Sequence, residues 1–149
     1  MYDRILFPTD GSKGVDRATD HAIDAADRYD ATLHVLYIVD SDIVNAYPGD
    51  EFVSGAEGAE ETLEETGEEA LSAVAEQADA AGVDVVTHMV YGTPHEEILR
   101  YIDDRDIDLT VMGSKTRPGD YRRMLGSVTE RVSRQSTAPV SIVKTTVRA

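Results

Sequence analysis

Cysteine and tryptophan are absent from the 149-residue sequence, and aromatic residues make up only 6% of it. Without cysteine the chain can form no disulfide, no thiolate metal site and no cysteine nucleophile. Histidine is also scarce, and no two of the four histidines have the HxH or HxxxH spacing of a zinc site. The four are His21, His34, His88 and His95. We therefore expect no metal centre held by protein side chains alone.

Long apolar runs and basic charge are lacking as well. No stretch approaches the roughly 18 consecutive apolar residues of a membrane-spanning helix, and Met1–Arg4 lead directly into a strand-like run rather than a signal peptide. Nonspecific binding to nucleic acid requires a basic surface, whereas this chain has 29 acidic and 14 basic residues. The sequence predicts a cytoplasmic protein with neither a membrane nor a nucleic-acid partner.

The charge imbalance has a particular make-up. The formal net charge is −15, the bases are 11 Arg and only 3 Lys, and Asp outnumbers Glu by 17 to 12. Such a surface repels itself at low ionic strength and is screened at high salt. We interpret it as a halophilic adaptation to a salt-rich cytoplasm; the alternative is an ordinary acidic protein.

Apolar runs and helical patterns alternate along the chain. Five runs rich in Val and Ile are predicted strands covered on both faces, at residues 5–7, 33–39, 83–90, 107–112 and 140–143. Apolar residues spaced by three and four predict helices between them, at residues 15–29, 59–81, from Pro94 onward and at 127–135. Residues 41–56 are predicted to be a polar loop. This order predicts one α/β domain over residues 1–149, a three-layer sandwich with a five-stranded, mostly parallel sheet.

In open parallel sheets, ligands bind outside the carboxyl ends of the strands. The first predicted strand ends in Phe7-Pro8-Thr9-Asp10-Gly11-Ser12. Asp10 or Ser12 can cap the following helix, and Asp10 can alternatively accept a hydrogen bond from a ligand hydroxyl such as that of a ribose. Considered alone, this segment favours the capping interpretation.

The end of the fourth predicted strand carries a stronger signal. Gly113 allows a sharp turn or a close approach to a ligand, and Gly126-Ser127 open a helix whose N-terminus favours anions. Residues 115–134 contain six bases and two acids, a net charge of +4 in an acidic chain. These features predict phosphate binding; the alternative is that the arginines pair with surface acids elsewhere.

Other catalytic and nucleotide motifs are missing. The sequence has no GxxxxGK[ST] loop, no GxGxxG after its first strand and no GxSxG segment. These absences argue against a P-loop enzyme, a dinucleotide-dependent enzyme of the usual kind and a serine hydrolase. We identify no catalytic residue.

Several segments together resemble the universal stress proteins, over essentially the whole chain. They are Ile5 to Ser12, Leu33-His34-Val35 with Val39-Asp40, Tyr91-Gly92-Thr93-Pro94, Gly113 to Val128, and Ala138 to Val143. The resemblance implies the Rossmann-like fold of the adenine nucleotide alpha hydrolases, with strand order 3-2-1-4-5. It also implies a homodimer through the last strand, Val140–Thr145, whose exposed edge invites pairing.

The resemblance further implies an ATP site. Members that bind ATP carry G-x2-G-x9-G-[ST], in which Gly113 and Gly126-Ser127 match but Thr116 replaces the second glycine. A β-branched residue is disfavoured if that position needs positive φ, although its hydroxyl can contact a phosphate. The implied contacts are Pro8 and Asp10 with the adenosine, Ile38 with the base through its backbone, Met112 and Gly113 with sugar and phosphates, and Gly126, Ser127 and Val128 with the phosphates. We expect Lys115 and Arg117 nearby, and Mg²⁺ or Mn²⁺ with the phosphates, Asp10 being the closest acid.

Function follows from that resemblance as an expectation. The leading hypothesis is an ATP-binding regulatory protein of the stress response, in which the nucleotide orders the phosphate loop between Gly113 and Gly126. The alternative is a nucleotide-free homodimeric interaction module of the same family. An ATPase is a third hypothesis. Its hydrolysis would be slow, because the sequence offers no evident base.

The charge composition leads to a first prediction. Because molar salt screens self-repulsion between acids, we expect the free energy of unfolding to rise between dilute buffer and molar KCl. Thermal unfolding followed by circular dichroism across this range measures the effect. A fold that stays fully intact in dilute buffer without added salt would contradict the halophilic interpretation.

Overall fold

A computed structural model describes residues 1–11, 17–41, 53–116 and 126–146 of the chain. Five parallel strands form one sheet in the order β3-β2-β1-β4-β5. The elements in chain order are β1 (Arg4–Thr9), α1 (Arg17–Tyr29), β2 (Thr32–Asp40), α2 (Val53–Ala80), β3 (Val85–Gly92), α3 (Pro94–Asp104), β4 (Leu109–Thr116), α4 (Ser127–Gln135) and β5 (Val140–Thr146). The predicted fold class, sheet and strand order are confirmed.

Several element boundaries differ from those predicted from the sequence. Helix α2 begins at Val53, so the predicted loop 41–56 is wrong in its last four residues, where glycines hide the helical pattern. Residues 42–52 of that loop, and 15–16 of the first predicted helix, lie outside the described residues. Val83 and Ile107 are buried but precede their strands, because connections also bury apolar side chains. At their carboxyl ends, β4 and β5 continue beyond the apolar runs to Thr116 and Thr146.

Side chains of the central strands alternate between two cores. Odd-numbered positions such as Ile5, Phe7 and Val35 lie in the cluster formed with α1 and α2. Even-numbered positions such as Leu6 and Leu36 lie in the cluster formed with α3 and α4. A strand with both faces buried needs apolar residues at nearly every position, which explains the near-continuous runs.

A buried histidine packs under helix α3. His34 is 8% exposed, and its Nδ1 lies 2.7 Å from the Tyr101 hydroxyl oxygen. His88 on β3 and the guanidinium of Arg105 also contact the Tyr101 ring, with centroid distances of 5.5 and 5.2 Å. Burial first, and then the charges of His88, Arg105 and Arg4, lower the pKa of His34 from 6.5 to about 4. His34 is therefore a neutral, hydrogen-bonded core residue.

This pKa predicts how stability depends on pH. Between about pH 6.5 and 4 the unfolded chain binds a proton at His34 that the folded chain does not, so stability is full above this window and falls on acidification. Over the whole window the loss is on the order of 3 kcal/mol. Urea unfolding at a series of pH values should show a shallower loss for His34→Gln, which keeps a polar side chain without titrating. Equal slopes for the two proteins would contradict this assignment.

Two glycines make room for one aromatic ring at the carboxyl end of β2. A Cβ added at Gly67 in α2 would lie 2.3 Å from Cδ2 of Tyr37. A Cβ added at Gly11, whose φ is +79°, would lie 2.7 Å from Cγ2 of Thr66 and 3.1 Å from Cε1 of Tyr37. Tyr37 is 4% exposed, so its ring is fixed between α2 and the turn that follows β1.

The glycine pair within α2 allows a matched test. Gly67→Ala forces a methyl group into the Tyr37 ring, and overpacking of this kind costs about 1–3 kcal/mol. Gly58→Ala, in the same helix, meets no atom of the described residues within 4 Å and should stabilise by roughly 0.5–1 kcal/mol, because alanine favours helix. Urea unfolding of both variants measures the difference. Changes of the same sign would contradict the packing of Tyr37 on Gly67.

Candidate functional site

A cavity of about 470 Å³ opens at the carboxyl ends of β1, β2 and β4, bounded by the first turns of α3 and α4. Its position is the one expected for a ligand site in an open parallel sheet. Eight residues of the predicted ATP site line this cavity: Pro8, Asp10, Ile38, Met112, Gly113, Gly126, Ser127 and Val128. The fold thus brings together residues that lie up to 120 positions apart in the sequence.

Three other predicted site residues have a different status. Lys115 and Thr116 are the last two residues of β4 and pair with Thr145 and Thr146 of β5. The extended backbone of a strand suits a β-branched residue, so Thr116 meets no conflict with its backbone there. Arg117 lies outside the described residues, as do the next eight positions of the cationic segment.

Helix α4 presents its N-terminus to the cavity. Gly126 is the N-cap, with φ −67° and ψ 159°, and the first helical hydrogen bond is donated by Glu130 N–H to the Gly126 carbonyl at 2.9 Å. The preceding N–H groups of Ser127, Val128 and Thr129 therefore have no carbonyl partner within the helix. They point out of the helix N-terminus, where the helix dipole adds partial positive charge. This end of the cavity favours an anion.

Gly126 leaves open space at that end. Its φ is one that any residue can adopt, and a Cβ added there would meet no atom of the described residues within 4 Å. Neither backbone strain nor packing in the described residues requires glycine at this position. The Thr129 hydroxyl donates to the Gly113 carbonyl at 3.3 Å and joins α4 to β4. Among the described residues, none fills the space beside Gly126.

A buried hydroxyl lies beside the same helix end. Ser114 lines the cavity and is 1% exposed, and its Oγ has no hydrogen-bond partner among the described residues. A buried polar group without a partner costs about 1–3 kcal/mol. A ligand oxygen at this end of the cavity would accept a hydrogen bond from the Ser114 hydroxyl after a small movement of that side chain.

The opposite end of the cavity is acidic. Asp10 follows β1 and Asp40 ends β2, and among the described lining residues these two alone carry a formal charge. Burial first, and then the charges of Asp10 and Asp40, raise the pKa of Tyr37, so its phenol is protonated at neutral pH. Apolar side chains such as Ile38, Ile98 and Met112 line the remaining wall and suit a flat organic group.

Several lining residues were not predicted from the sequence. Asp40 ends β2 and Pro94 begins α3, so both lie at the sheet edge where ligands are expected, but no chemistry singled them out in the sequence. Tyr37, Ile98 and Ser114 have patterns of ordinary core residues, and only the fold shows that they border a cavity. Within the described residues, no group of three or more His, Asp or Glu side chains could hold a metal ion.

A parallel α/β sandwich with a cavity between strand ends and a helix N-terminus is a ligand-binding architecture of the open-sheet class. The Universal stress protein family model matches residues 1–144, and the chain belongs to this family.

Individual relatives agree with that assignment. A universal stress protein of Methanocaldococcus jannaschii is 38% identical over 144 residues, covering 97% of this chain and 83% of the relative. The solved universal stress protein UspA from Lactobacillus plantarum is similar with a TM-score of 0.81 and 25% identity, covering 95% of this chain and 97% of that one. A universal stress protein solved in complex with cAMP has a TM-score of 0.62 and 25% identity, with coverage of 96% and 97%.

Among the helices of the described residues, none combines the length and apolar character that crossing a membrane requires.

Two buried hydroxyls without partners lead to a stability prediction. Ser114→Ala and Thr110→Val each remove an unpartnered buried hydroxyl, so each should leave the free energy of unfolding unchanged or raise it by up to about 1 kcal/mol. Thr110 does not line the cavity in the described part of the chain, which makes Thr110→Val a control for later binding measurements. Urea unfolding of the ligand-free proteins checks the prediction. A loss of more than about 1 kcal/mol in either variant would show that its hydroxyl has a partner.

Proposed function

We propose that this cavity binds an adenine nucleotide, with ATP as the physiological ligand, and that the protein is a nucleotide-dependent regulator in the stress response. One observation carries the proposal: in the described part of the chain, the N–H groups that start α4 and the Ser114 hydroxyl have no partner, and both face a cavity beside an open glycine. A phosphate supplies acceptor oxygens and negative charge for this arrangement. A relative of the same family has been solved in complex with cAMP, also an adenine nucleotide.

Each part of the nucleotide would contact a different wall of the cavity. The phosphates would lie against Gly126, Ser127 and Val128. Lys115 and Thr116 would contribute from the end of β4 and Arg117 from the position that follows it. The adenosine would lie against Pro8 and Asp10, with the Ile38 backbone beside the base and Met112 and Gly113 near the sugar. Mg²⁺ or Mn²⁺ would accompany a triphosphate and neutralise part of its charge, with Asp10 as the nearest oxygen ligand.

Regulation would follow from the position of the phosphate site. The phosphate site lies between the end of β4 and the start of α4. A bound nucleotide would therefore hold these two elements in one arrangement and change the surface that a partner protein contacts. We place this function in the cytoplasm and assign no catalytic residue; slow ATP hydrolysis is the weakest of the three hypotheses.

A second candidate function is supported by the sheet edge. β5 pairs only with β4 in the described sheet, so its outer edge carries unpaired backbone groups. Such an edge favours pairing with a second copy of the chain, through Val140–Thr145. If the folded protein is dimeric by light scattering and binds no nucleotide, a nucleotide-free interaction module is the better description.

The test of nucleotide binding uses position 126. Gly126→Asp and Gly126→Asn both place a good N-cap at α4 in open space, so neither should destabilise the fold. Asp adds a negative charge beside the phosphate site, whereas Asn adds the same volume without charge. By calorimetry in molar KCl with Mg²⁺, we expect wild-type protein to bind ATP and Gly126→Asp to bind at least about tenfold more weakly than Gly126→Asn.

Position 114 provides the second arm of this test. Ser114→Ala should weaken ATP binding by roughly tenfold, the loss of one hydrogen bond to a charged oxygen, while Thr110→Val should leave it unchanged. Absence of ATP binding by folded, nucleotide-free protein, or equal affinities for Gly126→Asp and Gly126→Asn, would overturn the phosphate assignment.

A further inference from the structure

Two helix N-termini border the cavity, those of α3 and α4. Pro94 at the start of α3 lines it, as do Ser127 and Val128 at the start of α4. The first helical hydrogen bond of α3 is donated by Glu97 N–H to the Thr93 carbonyl at 3.0 Å. The N–H groups that precede it in α3 therefore have no carbonyl partner within the helix, as in α4.

An arginine and a histidine lie in contact between these two helix starts. Nη1 of Arg131 on α4 is 3.5 Å from Nε2 of His95 on α3, a distance at which the guanidinium donates only a weak hydrogen bond. Arg131 follows Ser127 by one helical turn, and helical side chains lean toward the N-terminus of their helix. His95 directly follows Pro94, which lines the cavity. The guanidinium is therefore at the cavity end of the contact between α3 and α4.

The charge of Arg131 is not neutralised by a carboxylate in the described part of the chain. Arg134 on the same helix forms an ion pair with Glu130 at 2.7 Å, and Arg100 on α3 forms one with Glu97 at 2.9 Å. Within the described residues, the Arg131 guanidinium has only its weak hydrogen bond to α3, so most of its N–H donors are available. Such a cation beside a cavity attracts an anion.

The spacing of the two helices exceeds the reach of one phosphate. Helices packed in a common core, as α3 and α4 are, lie about 8–10 Å apart. A phosphate bound by the α4 N–H groups and the Ser114 hydroxyl therefore occupies the α4 end alone, whereas a chain of phosphates can extend toward α3. Glu96 and Glu97 in the first turn of α3 oppose its dipole, so the Arg131 guanidinium is the stronger attraction there.

We propose that the phosphate site continues from the α4 N-terminus to the Arg131 guanidinium, so that the protein binds ATP more tightly than AMP. This inference rests on the proposed function and adds the residue that distinguishes nucleotides by their number of phosphates. AMP uses the α4 N–H groups and the Ser114 hydroxyl, and it still binds. ATP adds a terminal phosphate that accepts bidentate, charge-assisted hydrogen bonds from Arg131 in place of the weak bond to His95.

The test compares ATP with AMP in wild-type protein and in two variants. By calorimetry on the full chain in molar KCl with Mg²⁺, we expect wild-type protein to bind ATP at least about tenfold more tightly than AMP. Arg131→Gln should weaken ATP binding by about tenfold and leave AMP binding unchanged. Arg134→Gln is the matched control, because it removes the same charge from the same helix at a residue paired with Glu130. Glutamine favours helix about as well as arginine, so both variants should fold.

The ratio of the two affinities separates the outcomes. A ratio that narrows for Arg131→Gln but not for Arg134→Gln supports the proposal. A wild-type ratio near one or below it overturns the preference for ATP and leaves the proposed function intact. A ratio that Arg131→Gln leaves unchanged, in protein whose circular dichroism shows it folded, overturns the role of Arg131, as does an equal narrowing by Arg134→Gln. Failure of both nucleotides to bind wild-type protein overturns this inference together with the proposed function.

Discussion

Burial of the parallel sheet on both faces is the constraint on which the rest of this structure depends. Helices α1 and α2 cover one face and α3 and α4 the other, so the strands themselves have little surface left for a ligand. Functional groups must then lie where the strands end. Because all five strands run in one direction, their carboxyl ends share one edge, and the turns after β1, β2 and β4 meet there.

The acidity of the chain contrasts with the end of the cavity formed by the α4 N-terminus. A net charge of −15 creates a field that repels phosphate over long distances. Backbone N–H groups at a helix N-terminus act at hydrogen-bond distance and remain effective in high salt, which screens exposed charges over a few ångströms. Among the described lining residues the cavity relies on such groups and on hydroxyls rather than on basic side chains.

Tyr37 contributes both to the packing of the core and to the shape of the cavity. Its ring occupies space that Gly67 and Gly11 leave open, and it borders both the α2 core and the cavity. A change in α2 at Gly67 would therefore move a wall of the cavity.

The sequence by itself determined the order of strands and helices, since apolar periodicity and burial on two faces are local properties of the chain. Its glycine and serine spacing also pointed to Gly113 and Gly126-Ser127, because backbone freedom and helix starts are read locally. Only the tertiary structure decided that Tyr37, Asp40 and Ser114 border the same cavity. Their neighbours come from strands and helices that are distant in the sequence. Whether a buried hydroxyl has a hydrogen-bond partner therefore depends on the tertiary structure.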